Sequence, residues 1–271
     1  MLLGLSSFTY GWSVGVAGSM PSRPMTATAL VNKTVEAGLR VLQIGDNLPL
    51  HELTQQQRDD LKSLLGKHNI TLEVGARKLT DEHLERYIGL ARFFNASLLR
   101  FVVDGDQYEP ETEITISIVR NAISQLKENK VILGIENHDR FKARELADMI
   151  DAIGSEQVGI CLDCVNSLGA GEGLEWVSSV LAPYTVNLHI KDFLIRRFPH
   201  NMGFTVTGIP TGQGMINVPW IVEKLHPYKR CKTGVLEQWV TPASDIEDTV
   251  RKEHAWAEEG LHYLKQLDQF K

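Results

Sequence analysis

Short runs rich in aliphatic and β-branched residues return about every thirty residues along the chain. They are LLGLSSF from Leu2, RVLQIG from Arg40, TLEVGA from Thr71, SLLRFVV from Ser97, VILGIE from Val131, VGICLD from Val158, TVNLHI from Thr185 and, after a longer gap, GVLEQW from Gly234. Amphipathic stretches fill the intervals. Thr54 and Gln57 form a capping-box pattern ahead of RDDLKSLL, Leu84, Tyr87, Ile88 and Ala91 share one helical face, and Ser244 and Glu247 form a second box before the last helix. Gly38 closes a helix expected to begin near Pro24. Strands that alternate with helices at this spacing must run parallel, because each return needs a crossover of about a dozen residues. Eight such units are enough to close a sheet on itself. The expectation is therefore an α/β chain forming a (β/α)8 barrel, one domain over residues 1–271, close to the roughly 250 residues such a barrel needs. An open doubly wound sheet is disfavoured, since no GxGxxG follows the first strand and Gly11, Gly15 and Gly18 have the wrong spacing.

Composition narrows the function classes. The chain is 43% hydrophobic and 23% charged, an ordinary globular balance, and its net charge of −6 comes without a basic run. Recognition of a nucleic-acid backbone, which rests on Lys and Arg against phosphate, is not expected, and neither is a membrane partner. A small-molecule partner fits better. Three cysteines do not make a disulfide framework, and CLDC at 161–164 lacks the second pair that a zinc knuckle needs. The first 22 residues carry no charged side chain, but Gly, Ser and Thr interrupt any apolar core of a signal peptide, so the expected location is cytoplasmic.

In a barrel of this kind the reactive groups gather at the carboxyl ends of the strands. Strand five ends in Glu136, strand six in Asp163, strand seven carries His189, and the last strand leads into Glu237. Each lies in or beside an apolar run, where an unpaired charge is costly and must be compensated. Local partners offer one solution, Arg100 for Glu136 and Lys191 for Asp163. A shared divalent cation offers another and satisfies all four at once. Three carboxylates and one imidazole are a hard, oxygen-rich donor set that favours manganese or magnesium, with zinc and cobalt also compatible.

Glu136 closing strand five, Asp163 followed by Asn166, the His189-x-Lys191-Asp192 run, the glycine-rich TGIPTGQGMIN at 207–217 and the final Glu237 together resemble the xylose-isomerase-like TIM barrel superfamily over essentially the whole chain. The resemblance implies metal ligation by Glu136, Asp163, His189 and Glu237, with Glu136 and Glu237 also serving as acid and base. It also implies a small carbohydrate substrate and homo-oligomerisation. An ion chelated by a carbonyl and its neighbouring hydroxyl would stabilise an enediolate, which makes such chemistry accessible to carboxylate bases. Three departures concern substrate. Asn166 stands where epimerases of the group have His, Ile195 stands where they have Arg, with Arg196 and Arg197 following, and Gln213 replaces a frequent Glu. The histidines that the related DNA-repair endonucleases need on early strands are absent here.

The first functional expectation is an isomerase or epimerase of a small keto sugar or sugar acid. The alternative is a lyase on the same platform, either a decarboxylase of a 3-keto sugar acid or a dehydratase, and a non-catalytic sugar-binding barrel is a third. Substrate contacts are expected from His138, Asn166, Lys191, Arg77 and Arg196, with Arg77 placed to bind a carboxylate or phosphate. Phe8, Tyr10, Trp12 and Trp239 are candidates for a stacking wall, and GVAGSMPSRPMT at 15–26 for a lid.

Overall fold

The computed structural model describes Met1–Phe270. Among these residues, eight parallel strands close into a barrel: β1 (Leu2–Ser6), β2 (Val41–Ile44), β3 (Thr71–Arg77), β4 (Leu98–Val102), β5 (Ile132–Glu136), β6 (Val158–Asp163), β7 (Thr185–Ile190) and β10 (Thr233–Leu236). Closure is made by β10, which pairs with β7 on one side and with β1 on the other, Leu5 opposite Leu236. Strands β2, β4, β6 and β7 are buried along their whole length, as parallel strands must be when helices cover one face and the barrel core the other.

The outer ring consists of α2 (Ala27–Glu36), α3 (Gln55–His68), α4 (Asp81–Phe94), α5 (Thr112–Asn129), α6 (Ala143–Ile153), α7 (Leu174–Leu181), α8 (Val218–Leu225) and α9 (Ile246–Gln266), and a short α1 (Gly11–Val14) follows β1. The expected box at Thr54 and Gln57 is present in both directions. The apolar face of α4 packs inward through Leu84, Tyr87, Ile88 and Ala91. Two helix starts differ from expectation. The N-cap of α9 is Asp245, which accepts from the Asp248 amide at 2.7 Å, because the Ser244 hydroxyl is already engaged with the Asp248 side chain. Helix α2 starts at Ala27 behind a Thr26 cap, three residues later than Pro24, and Gly38 does follow it with φ +67°.

The long gap before the last barrel strand holds an element the periodicity did not announce. Strands β8 (Asp192–Arg197) and β9 (Phe204–Ile209) form an antiparallel hairpin directly after β7. Its signal is the apolar FLI of DFLIRR and the alternation of FTVTGI on either side of a turn at 198–203, masked because a single crossover can fill the whole interval. Asp192 anchors the hairpin base and the glycine-rich loop together. Its carboxylate accepts from the amides of Phe193 at 2.9 Å, Gly212 at 3.0 Å, Gly214 at 2.9 Å and Ile216 at 3.0 Å. Gly214 leaves no room for a side chain here, since a Cβ would lie 2.2 Å from the Asp192 carboxylate.

Candidate active site

Glu136, Asp163, His189 and Glu237 do converge. They come from β5, β6, β7 and the residue after β10, at the carboxyl ends of four barrel strands that adjoin in the order β5, β6, β7, β10, and all are buried. His189 Nδ1 lies 3.2 Å from Glu237 Oε1, 3.5 Å from Glu136 Oε2 and 3.8 Å from Asp163 Oδ2. The β5 and β6 ends are pinned by Asn137, whose amide donates to the Asp163 carbonyl and the Ser167 hydroxyl, both at 2.9 Å, while its oxygen accepts from the Asp163 amide at 2.6 Å.

Each carboxylate has a different surrounding. Glu136 accepts from Arg100 Nε on one oxygen and from Asn166 Nδ2 at 2.8 Å on the other. Asp163 Oδ1 accepts the amides of Val165 and Asn166, and its Oδ2 lies 2.7 Å from Lys191 Nζ. Glu237 Oε1 accepts from the Ser6 hydroxyl at 2.9 Å and Oε2 lies 3.1 Å from Lys191 Nζ. Burial pushes the Asp163 carboxyl up, against the pull of Lys191. Burial acts the same way on Glu237, but there His189 and Lys191 prevail and hold the carboxyl well below the usual range. Lys191 is buried, which disfavours its charge, yet Asp163 and Glu237 raise its pKa and keep the ammonium protonated.

The tautomer of His189 follows from its neighbours. Gln43 Nε2 donates to Glu73 Oε2 and to Asn187 Oδ1, both at 3.0 Å, so Gln43 Oε1 faces His189 Nε2 as an acceptor at 2.7 Å. Nε2 must therefore carry the hydrogen, and in the neutral ring Nδ1 turns a bare lone pair toward three carboxylates. Nδ1 and Asp163 Oδ2 are both buried without an aligned hydrogen bond; the short Lys191 contact to Oδ2 is an ion contact rather than a well-directed bond. Anionic oxygens converging on Nδ1 favour positive charge there, and Glu237 and Glu136 accordingly raise the His189 pKa against its burial; a divalent ion at the Nδ1 lone pair would supply the same charge, and the donor set fits one. Cys161 also reaches this cluster, but burial pushes its thiol up and it donates to Asn187 Oδ1 at 3.2 Å, so it stays protonated and is a poor ligand.

The substrate-contact expectations divide. Lys191 and Asn166 lie in the cluster, on Asp163 and Glu136 respectively. Arg77 stands at the rim, half-exposed and 3.4 Å from Asp46, whose other oxygen is paired with Arg100 Nη1. His138 is turned to Asp139 at 3.3 Å, and Arg196 is exposed on β8; neither contacts the four residues. Phe8, Trp12 and Trp239 line one cavity of about 430 Å³ together with Val206 of the hairpin. Tyr10 is buried against His254 instead. The segment 15–26 is tied down by Ser22 to Glu247 and by the Met25 amide to the Ser13 carbonyl.

Sequence reasoning missed Ser6, Gln43, Asp46 and Glu73. Their only signal was polarity within or at the end of an apolar strand, and neutral Ser and Gln carry little weight in such a search.

A family model described as "Xylose isomerase-like TIM barrel" matches residues 31–267. The chain belongs to that family. Within it, a curated relative is 3-oxo-isoapionate decarboxylase of Pectobacterium atrosepticum, 30% identical over 264 residues, covering 97% of this chain and 95% of that one. Solved xylose isomerase-like barrels share the fold. D-psicose 3-epimerase of Clostridium cellulolyticum, solved with D-tagatose, superposes with a TM-score of 0.72 at 15% identity, covering 98% and 97% of the two chains. A barrel protein of Mycobacterium smegmatis in complex with magnesium gives 0.70 at 13% identity, covering 97% of each. No helix among the described residues is long and apolar enough to cross a membrane.

Proposed function

We propose that the protein is a divalent-metal-dependent decarboxylase of a 3-oxo sugar acid. The carrying observation is that both oxygens of Glu136 are held, one by Arg100 and one by Asn166. An epimerase or isomerase needs a base to take a proton from carbon and a group to return it. Decarboxylation of a 3-oxo acid needs no base: the bond to the carboxylate breaks, its electron pair passes toward the ketone, carbon dioxide leaves, and one proton is added to carbon. Glu136 as found here is a fixed anion, suited to holding a cation and poorly placed to carry protons. The reaction of the Pectobacterium relative supports the same choice.

Glu136, Asp163, His189 and Glu237 would hold the ion, manganese or magnesium by donor type. Held there, it would supply Lewis-acid stabilisation of the negative charge that develops as the carboxylate leaves. Arg77 at the rim presents a planar fork to the substrate carboxylate. The Lys191 ammonium, held 3.1 Å from Glu237 Oε2, supplies the proton to carbon, and Trp239, with Lys191 Nζ 5.5 Å from its ring centroid, covers it.

An isomerase or epimerase of a small keto sugar is the second reading, favoured by the two glutamates that flank His189 at 3.5 and 3.2 Å. Incubation of the metal-loaded enzyme with 3-oxo sugar acids and with ketoses in deuterated water separates the two. The decarboxylase releases carbon dioxide and places one deuteron on the product. Conserved mass with exchange at carbon, and no gas, overturns the proposal in favour of the second reading.

A further inference from the structure

Outside the barrel mouth, a groove of about 540 Å³ runs between α3 and α4 and is lined by three arginines, Arg58, Arg86 and Arg92, with no carboxylate among its lining residues. The chain as a whole is acidic, at −6, so this concentration of positive charge is local. Little nearby compensates it. Arg86 alone has an acidic partner, Glu82 at 2.7 Å, and that partner is itself strongly exposed. Asp59 and Asp60 on α3 are engaged with Gln55 and Gln56 instead. Arg92 has no ion pair among the described residues, and Arg58 spends Nη2 on the His51 carbonyl at 2.8 Å while its Nε is buried without any acceptor. A fourth cation, Lys62, lies over the ring of Phe93, which forms part of the wall, at 4.6 Å.

The groove floor adds an independent observation. Gly89 sits exposed in the interior of α4, and a Cβ there would meet nothing within 4 Å. Packing does not require glycine at this position and helix propensity argues against it. Glycine there keeps that part of the groove lining free of a side chain.

We propose that this groove is a binding site for the phosphate group of a small molecule. Guanidinium groups from two helices line one groove, and a tetrahedral dianion offers several acceptor oxygens to them where a carboxylate fills one fork. This site is separate from the metal cluster and stands whether or not the decarboxylase reading holds.

Calorimetric titration of the 271-residue chain with inorganic phosphate at low ionic strength tests it, with acetate as the carboxylate probe. The expected result is saturable binding of one phosphate per chain, at least tenfold tighter than acetate. Affinity should fall at least tenfold in Arg86→Ala/Arg92→Ala, whose side chains are exposed and spare the fold, and remain unchanged in Arg77→Ala. No saturable phosphate binding, acetate binding as tightly, or binding that survives the double substitution overturns the proposal. Loss of binding in Arg77→Ala overturns it too, because the anion then sits at the barrel mouth.

Discussion

Gln43 shows how one neutral side chain can set the chemistry of a charged cluster. Its amide is oriented by donating to Glu73 Oε2 and Asn187 Oδ1, and that orientation dictates which nitrogen of His189 faces the other carboxylates. Gln43→Leu removes the acceptor behind His189, and a loss of about 10- to 100-fold in metal affinity is expected, as for other outer-shell partners of ligating histidines. Titration with manganese followed by electron paramagnetic resonance reads it. Direct removal of a donor acts more strongly: Asp163→Asn and Glu237→Gln should leave purified protein depleted in metal by elemental analysis and nearly inactive. Arg100 holds Glu136 and Asp46 together, so Arg100→Met strands the buried Glu136 carboxylate and leaves Asp46 with Arg77 alone. Destabilisation of about 3–5 kcal/mol in urea unfolding is the expected outcome.

Between elements, buried carboxylates serve as fasteners for backbone amides. Asp192 gathers four of them at the base of the β8–β9 hairpin, and Glu253 of α9 does the same for α1. Glu253 accepts the Trp12 amide at 2.7 Å, and the Ser13 amide and hydroxyl at 2.8 and 2.6 Å. Burial nevertheless outweighs these donors and pushes the Glu253 carboxyl up to about 7. The native state thus binds this proton more tightly than the unfolded chain does. The resulting stabilisation is full below the unfolded value of about 4.5 and is lost as pH rises through about 7. Relative to Glu253→Gln, the native protein should lose on the order of 3 kcal/mol of unfolding free energy between pH 4 and pH 8. Equal pH dependence of the two proteins in denaturant titrations would contradict this account.

At the scale of the whole molecule, the four donors belong to a contiguous arc of the barrel, β5, β6, β7 and β10, and β10 is the strand that completes closure. A cation bound to them ties that arc together in the folded state alone. Saturation to about 100 times the dissociation constant then adds about 2.7 kcal/mol of stability, a rise of several degrees in Tm. Differential scanning calorimetry with manganese or magnesium, before and after chelation, measures the shift, and Asp163→Asn should abolish it.

The barrel was legible in the chain because its signal is local. Each strand is a short apolar run, each helix a 3.6-residue pattern with its own caps, and the repeat of the two implies parallel strands whatever their final register. Glu136, Asp163, His189 and Glu237 were legible for the same reason, as charged or titratable groups where apolar runs end. Their partners were not. Ser6 meets Glu237 across 231 residues and Gln43 meets His189 across 146, and both contacts arise from the register with which β1 and β2 join the closed sheet. A serine or glutamine on a buried strand has no local reason to stand out. Only closure of the barrel, which aims inward side chains from distant strands at one volume, makes such residues part of the site.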